Sequence, residues 1–456
     1  MFFAKKFGVA AVAFGLLLAS CKKEISDTTN PTPTTDSTDV TLEANLAKDT
    51  ALDAARYFYL WYKQIPTTFN ARSYADPDAV MTAIRQYSNE PGFAKPVDRW
   101  SFAVKQKEWD AISSGIAGDF GLNVFFRDVA DLRVKLVEPA SPAGLAGIRR
   151  GWRITKINGN SNITTGNADF IAEHVFESAN TAFTFVKPDG TTTDITLNTA
   201  TYQENPVVLD SVYTVNGKNV GYFAFNSFLG NTTQIYNSFD AIFSKFAAKQ
   251  VSDVIVDLRY NGGGYVDMQE KLADYLAPLA ANGSLMMKQE FNDQNQQYNS
   301  TTLFQKAGSL NPARIFFIVS KNTASASELL INNLKPFVDV QLVGPSKTYG
   351  KPVGFFPIPA SDWYVFPVSF RTTNKNDEGA YFDGMALNKQ VADGLDKDWG
   401  DVQESCLASV LSYIKNGAFL GSPGKSAFTE KAEVLAGNDA LAKPEFKGAV
   451  DARHIR

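Results

Sequence analysis

Cysteine and histidine are nearly absent from this chain. Its 456 residues include two of each, Cys21, Cys406, His174 and His454, and six methionines. Two cysteines so far apart exclude a disulfide scaffold and a thiolate zinc cluster. Two histidines leave no multi-histidine metal site and few ways to build a Ser-His-Asp triad. Net basic charge is also missing: 44 Lys+Arg stand against 48 Asp+Glu, a formal charge of −4. Nothing therefore supplies a phosphate-neutralising surface, and nucleic acid is not an expected partner. No metal and no organic cofactor is expected.

The chain opens with Lys5 and Lys6, an apolar run from Phe7 to Leu18, and then Ala19-Ser20-Cys21. A basic start, a short apolar core and small residues at a break make residues 1–20 a signal peptide. The run is too short for a permanent membrane span. Cys21 after Ala-Ser resembles a bacterial lipobox, which implies lipidation of Cys21 and a protein anchored in the cell envelope. A plainly cleaved signal with a chance cysteine is the alternative. Residues 21–42 are rich in Thr, Asp, Asn and Pro, too polar to fold alone, and read as a disordered tether.

Three regions follow. Residues 43–112 read as helical from clusters such as Ala51, Ala54, Ala55 and Phe58, and no residue pattern there points to chemistry. Residues 113–200 carry short β-rich runs at 122–126, 132–137 and 192–197, with more Gly and Pro between them. From 201 to 418, strands alternate with helices. A hairpin turns at Asn216-Gly217, Ile235, Phe239, Ile242, Phe243 and Phe246 form a helical face, and strands are expected at 254–258, 315–319 and 340–343. That alternation predicts an α/β layer with a mainly parallel sheet, whose sites collect at the carboxyl ends of strands. Residues 419–456 form a polar tail with no assigned role.

Two loops at such strand ends carry chemistry. Asp257-Leu258-Arg259-Tyr260-Asn261-Gly262-Gly263-Gly264 precedes a helix expected over 266–279. Its glycines let backbone approach a ligand, but a simple turn reads the same, and no P-loop spacing is present. Asn322-Thr323-Ala324-Ser325-Ala326-Ser327-Glu328 starts a second helix, 325–334. Ser325 and Glu328 fit a capping box; alternatively Ser325 is a nucleophile whose neighbour, Ala326, aims its N–H at a developing oxyanion. Serine needs a base. His174 lies far back in the chain and His454 close to its end. A desolvated lysine can stay neutral and serve, and Lys351 in Tyr349-Gly350-Lys351-Pro352 follows the 340–343 strand among aromatics. A surface lysine on a turn is the plain alternative.

The sequence Ser141-Pro142-Ala143-Gly144-Leu145-Ala146-Gly147-Ile148, with Gly151 and Ile157-Asn158-Gly159, resembles the signature of PDZ domains, though Trp152 replaces the usual Asp. The resemblance implies a carboxylate-binding loop at Phe120-Gly121-Leu122-Asn123 and a facing helix over 168–177 that carries His174. The order Asp-Leu-Arg-x-Asn-x-Gly-Gly, Ser-Ala-Ser-Glu, Gly-Lys, then Tyr381-Phe382-Asp383-Gly384 and Asp398-Trp399-Gly400-Asp401, resembles the C-terminal processing peptidases. That likeness implies a crotonase/ClpP-like core, Ser325 as nucleophile, Lys351 as general base, and an oxyanion hole from Ala326 with Gly263 or Gly264. It also implies protein substrates selected by their free C-termini. Two departures stand out. Lys351 lies one position further from Ser325 than the family pattern leads us to expect, and Phe355 replaces a Gln that helps orient the lysine. A peptide-binding protein without hydrolysis, or a Ser-His hydrolase using His454, are the competing readings.

Overall fold

A computed structural model describes residues 37–421, 432–441, 446–451 and 453. Cys21, the signal peptide, most of the tether and His454 lie outside these residues. No helix among the described residues is long and apolar enough to cross a membrane.

The first region holds helices α1 (Ser37–Phe58), α2 (Pro77–Ile84) and α3 (Gln106–Ser114), but it is not wholly helical. Strand β1 (Phe102–Lys105) pairs antiparallel with Trp363–Phe366, more than 250 residues later. The Phe102 ring stacks on Phe366 at 4.4 Å, a packing gain that no local periodicity announces. Between 113 and 200, β2 (Leu122–Asp128), β3 (Asp131–Val137), β4 (Arg153–Ile157), β5 (Asn180–Val186) and β6 (Thr192–Asn198) form one antiparallel sheet in chain order. The helix expected over 168–177 is α4 (Ala168–Ala172) followed by a π turn over Glu173–Glu177. Strand β2 is an edge of this sheet.

The core is a six-stranded sheet. Strand β7 (Val207–Val215) turns at Asn216-Gly217, both at positive φ, into β8 (Lys218–Phe225). Next come α5 (Thr232–Ala248), β9 (Val251–Asp257), the short strand β10 (Gly263–Tyr265), α6 (Val266–Leu276), β11 (Arg314–Ile318), α7 (Ala326–Leu334) and β12 (Asp339–Gly344). Across the sheet the order is Lys389–Gln390, β12, β11, β9, β8, β7, with every pair parallel except β8–β7. Helix α6 stops at Leu276, short of the expected 279, because Pro278 disfavours helical backbone at Ala277.

The five apolar positions of α5 are all buried, and Phe239 sits 5.3 Å from Phe225 and 6.0 Å from Phe223. The other face of the sheet is covered by α8 (Ser405–Asn416), which brings Cys406, Leu407 and Val410 onto Tyr222, Ile255 and Phe316. Cys406 is buried and free, and burial pushes its thiol pKa up, so it is inert. The tail beyond 419 is more than polar chain. It holds α9 (Ala432–Ala440) and β13 (Gly448–Val450), which pairs parallel with β10.

Truncating Phe239 to Ala should cost roughly 3–5 kcal/mol of stability through the cavity it leaves between α5 and the sheet. Urea unfolding followed by tryptophan fluorescence measures this, and a loss under 1 kcal/mol would contradict the packing.

Candidate active site

Strands β9 and β11 are neighbours, so the loops leaving them meet above the sheet. Asn261 stitches them together. Its amide donates to Phe225 O (3.0 Å), its carbonyl accepts from Ala324 N–H and from Ser327 Oγ (both 3.1 Å), and its Oδ1 takes the Gly263 N–H (2.9 Å). Gly263 has φ +104, and a Cβ there would lie 3.0 Å from both Ala324 O and Ala326 N. Only glycine lets this backbone come so near the start of α7.

Ser325 sits at that start with φ 57 and ψ −109, a strained conformation for a residue with a side chain. It is 1% exposed, and its Oγ has no hydrogen-bond partner. Ala326 is the first residue of α7, where an N–H lacks an intrahelical acceptor. Of the two candidate glycines, Gly263 has its N–H turned to the side chain of its own loop, on Asn261 Oδ1.

Glu328 organises the rest. It is fully buried, and its Oε2 accepts from the N–H groups of both Ser325 and Lys351, each at 2.8 Å. Its Oε1 accepts from Gly350 N–H (2.7 Å) and Thr348 Oγ (2.5 Å). Burial pushes the Glu328 pKa up, and these hydrogen bonds oppose the rise, the one from Thr348 most strongly. A single carboxylate oxygen thus holds the backbones of Ser325 and Lys351 together. Only its capping role was legible in Ser-x-x-Glu; its link to Lys351 has no local signal.

Lys351 is 1% exposed. Burial drives its pKa well below the usual lysine value, with Asp98 opposing. Its Nζ lies 3.6 Å from the centre of the Phe355 ring and 5.8 Å from that of Trp100, and donates to Lys447 O at 2.9 Å. The aromatic face of Phe355 therefore lies directly against Nζ. Asp98 is held by Tyr59 Oη (2.8 Å), Ser101 Oγ (2.6 Å) and the Trp100 N–H (2.8 Å). The first region, in which the sequence pointed to no chemistry, supplies both the counter-charge that most opposes the lowered pKa and, in Trp100, a ring beside Nζ.

The other expected residues lie apart from this centre. Phe120 is buried, and its carbonyl accepts from Ala143 N–H (3.0 Å). The Gly121 N–H donates to Asp119 Oδ1 (2.7 Å), so a carboxylate of the chain itself occupies it. Leu122 and Asn123 open β2, opposite Val137 and Leu136. His174 Nδ1 lies 2.9 Å from Phe170 O, on the surface of its own turn. Among the described residues no group of three or more His, Cys, Asp or Glu is placed to hold a metal ion.

Glu328→Gln turns an amide NH₂ toward backbone donors and should cost about 1–3 kcal/mol of stability for each donor left unsatisfied. We expect a lower urea midpoint together with slower reaction of Ser325 with a fluorophosphonate; an unchanged midpoint and rate would refute the hub assignment.

Comparison with known proteins points to one peptidase family. Residues 219–383 match the model of peptidase family S41, and residues 48–102 match the model of the S41 N-terminal domain. A Staphylococcus aureus protein named "Probable CtpA-like serine protease" is 28% identical over 260 residues, which is 56% of this chain and 49% of that one. The carboxy-terminal processing protease CtpB of Bacillus subtilis is 24% identical over 259 residues, covering 56% of this chain and 50% of its own. The chain thus spans about half the length of the curated relatives it matches. A crystal structure from Bacteroides fragilis, whose own S41 assignment is provisional, superposes with a TM-score of 0.63 at 22% identity, over 80% of this chain and 96% of the other. That likeness shows the fold. Both the core and the N-terminal region of the chain thus match models of peptidase family S41.

Proposed function

We propose that the protein is a serine endopeptidase with a Ser325–Lys351 dyad. The observation that carries this reading is the shared Glu328 oxygen, which joins a strained serine with an unpartnered Oγ to a lysine whose pKa burial has lowered. Neutral Lys351 takes the proton of Ser325 Oγ as that oxygen attacks the substrate carbonyl. The N–H groups of Ala326 and Gly264 hold the tetrahedral oxygen, at roughly 3–4 kcal/mol per donor. Protonated Lys351 then gives its proton to the leaving amine as the C–N bond breaks, and finally activates the water that releases the acyl group.

Substrate choice is proposed to lie with the 113–200 region, by strand addition to the outer edge of β2, with free C-termini preferred. Lipidation of Cys21 would place this activity on the cell envelope; palmitate labelling lost in Cys21→Ser tests that placement, and undiminished labelling would refute it. The competing reading, a peptide-binding protein without hydrolysis, draws on Phe355, which replaces a polar helper with a ring that cannot accept a hydrogen bond in its plane.

Ser325→Ala and Lys351→Ala should each abolish cleavage of an unstructured protein, and Lys351→Arg should do the same because a guanidinium stays charged. Retained cleavage in any of the three would defeat the dyad. The working form of Lys351 is deprotonated, so kcat/KM should fall as pH drops through its lowered pKa. The midpoint of that limb is expected far below 10.5 in a pH-rate profile, and a limb near 10.5 would exclude Lys351 as the base.

A further inference from the structure

The cleft between β10 and Phe355 is filled by the chain itself. Strand β13 pairs with β10 in parallel, Gly448 opposite Gly263 and Ala449 opposite Gly264. The Gly448 N–H donates to Gly262 O at 3.0 Å, so the ladder sets Gly448 O against the Gly264 N–H, the oxyanion donor named above. On its other edge, Ala449 O accepts from Phe355 N–H (3.0 Å), and Asp451 N–H donates to Phe355 O (3.1 Å). Lys447 O, one carbonyl earlier, takes the hydrogen bond of Lys351 Nζ. Two consecutive carbonyls of one segment therefore engage the base and the oxyanion donor, while Ser325 Oγ has no partner.

The segment is anchored at both ends. The Phe446 ring packs 5.3 Å from Trp109, and Arg453 bonds both Asp451 (2.8 Å) and Glu270 (3.0 Å). Its centre is selective, since a Cβ at Gly448 would collide with the rings of Phe446 and Phe355. The preceding helix, α9, covers the second proposed peptide site. Asn438 Oδ1 accepts from the Phe126 N–H (2.7 Å) and Asn438 Nδ2 donates to Phe126 O (3.0 Å), so one side-chain amide satisfies the β2 edge as an added strand would. Val434 and Leu441 are buried in the core of that region.

We infer that residues 432–441 and 446–451 together are an intramolecular substrate mimic that holds the enzyme inactive. Residues 446–451 take the place of an extended, glycine-centred peptide in the catalytic cleft, and α9 covers the edge strand offered to substrate. This inference rests on the dyad reading. A substrate gains access only when the segment leaves, and Phe355 admits glycine best at the position Gly448 now holds.

Three proteins test it: the full chain, a chain ending at Glu445, and the full chain carrying Gly448→Leu, which expels the strand without shortening the protein. A site open for about a tenth of the time reacts about tenfold slower. Both altered proteins should therefore label at Ser325 with a fluorophosphonate, and cleave an unstructured protein, about tenfold faster or more. A synthetic peptide of residues 446–456 should slow the chain ending at Glu445. Equal, measurable rates in all three overturn the inference and leave the dyad standing. Absence of labelling in all three removes the dyad reading and, with it, the inhibitory role. Amide exchange reads the seating independently: slow exchange at Gly448 and Asp451 in the full chain supports it, and free exchange there overturns it.

Discussion

A buried carboxylate is the constraint on which this site depends. Glu328 loses water on every side and regains three backbone N–H groups and one hydroxyl. Leaving any of these donors without an acceptor would cost about 1–3 kcal/mol, so the arrangement forms as a unit. The unit has a chemical by-product. Binding its N–H to Glu328 pins Ser325 in a backbone conformation it would otherwise avoid. The same oxygen draws in Lys351, whose stem then enters an apolar pocket between Phe355 and Trp100. The carboxylate would touch no reacting atom, yet it positions both groups of the proposed dyad.

A second set of buried charges fixes the glycine loop. Arg259 is completely enclosed and bonds Asp257 (2.7 Å), Asp393 (2.7 Å) and Glu404 (2.8 Å), while Arg150 reaches Asp393 from the 113–200 region. Burial alone would raise the Asp393 pKa, but Arg150 and Arg259 more than reverse this and hold it well below the usual carboxylate range. Tyr260 bonds both Arg150 and Asp393. The loop that carries Gly264 is thus tied to the orientation of the neighbouring region and to the start of α8. Removing one member of such a group strands the others without counter-charge, so the network behaves as a single joint.

Much of this was legible because it is local. The α5 face, the Asn216-Gly217 hairpin and the three β-branched core strands follow from periodicity and turn chemistry, and they fall within a few residues of expectation. The serine and the glycine loop stand at strand ends that the alternation makes visible, and the lysine stood out because histidine is so scarce. What escaped was non-local. Strand β1 exists because Phe102 meets Phe366, and Asp98 serves the site because folding delivers it to Lys351. The Gly263 N–H looked as available as that of Gly264, since nothing in a glycine run tells which one Asn261 will claim. The stretch after 419 read as plain polar chain because β13 is three residues long, too short for any period to show.

The pairing of β10 with β13 also has a temporal side. The residues that build the proposed catalytic centre, from Tyr59 to Phe355, all precede the strand that fills it, which begins at 448. Chains emerge from the ribosome in order and fold largely in that order. On the proposed reading, the cleft is formed before its occupant exists, and a newly made molecule passes through an interval in which the proposed active site stands open.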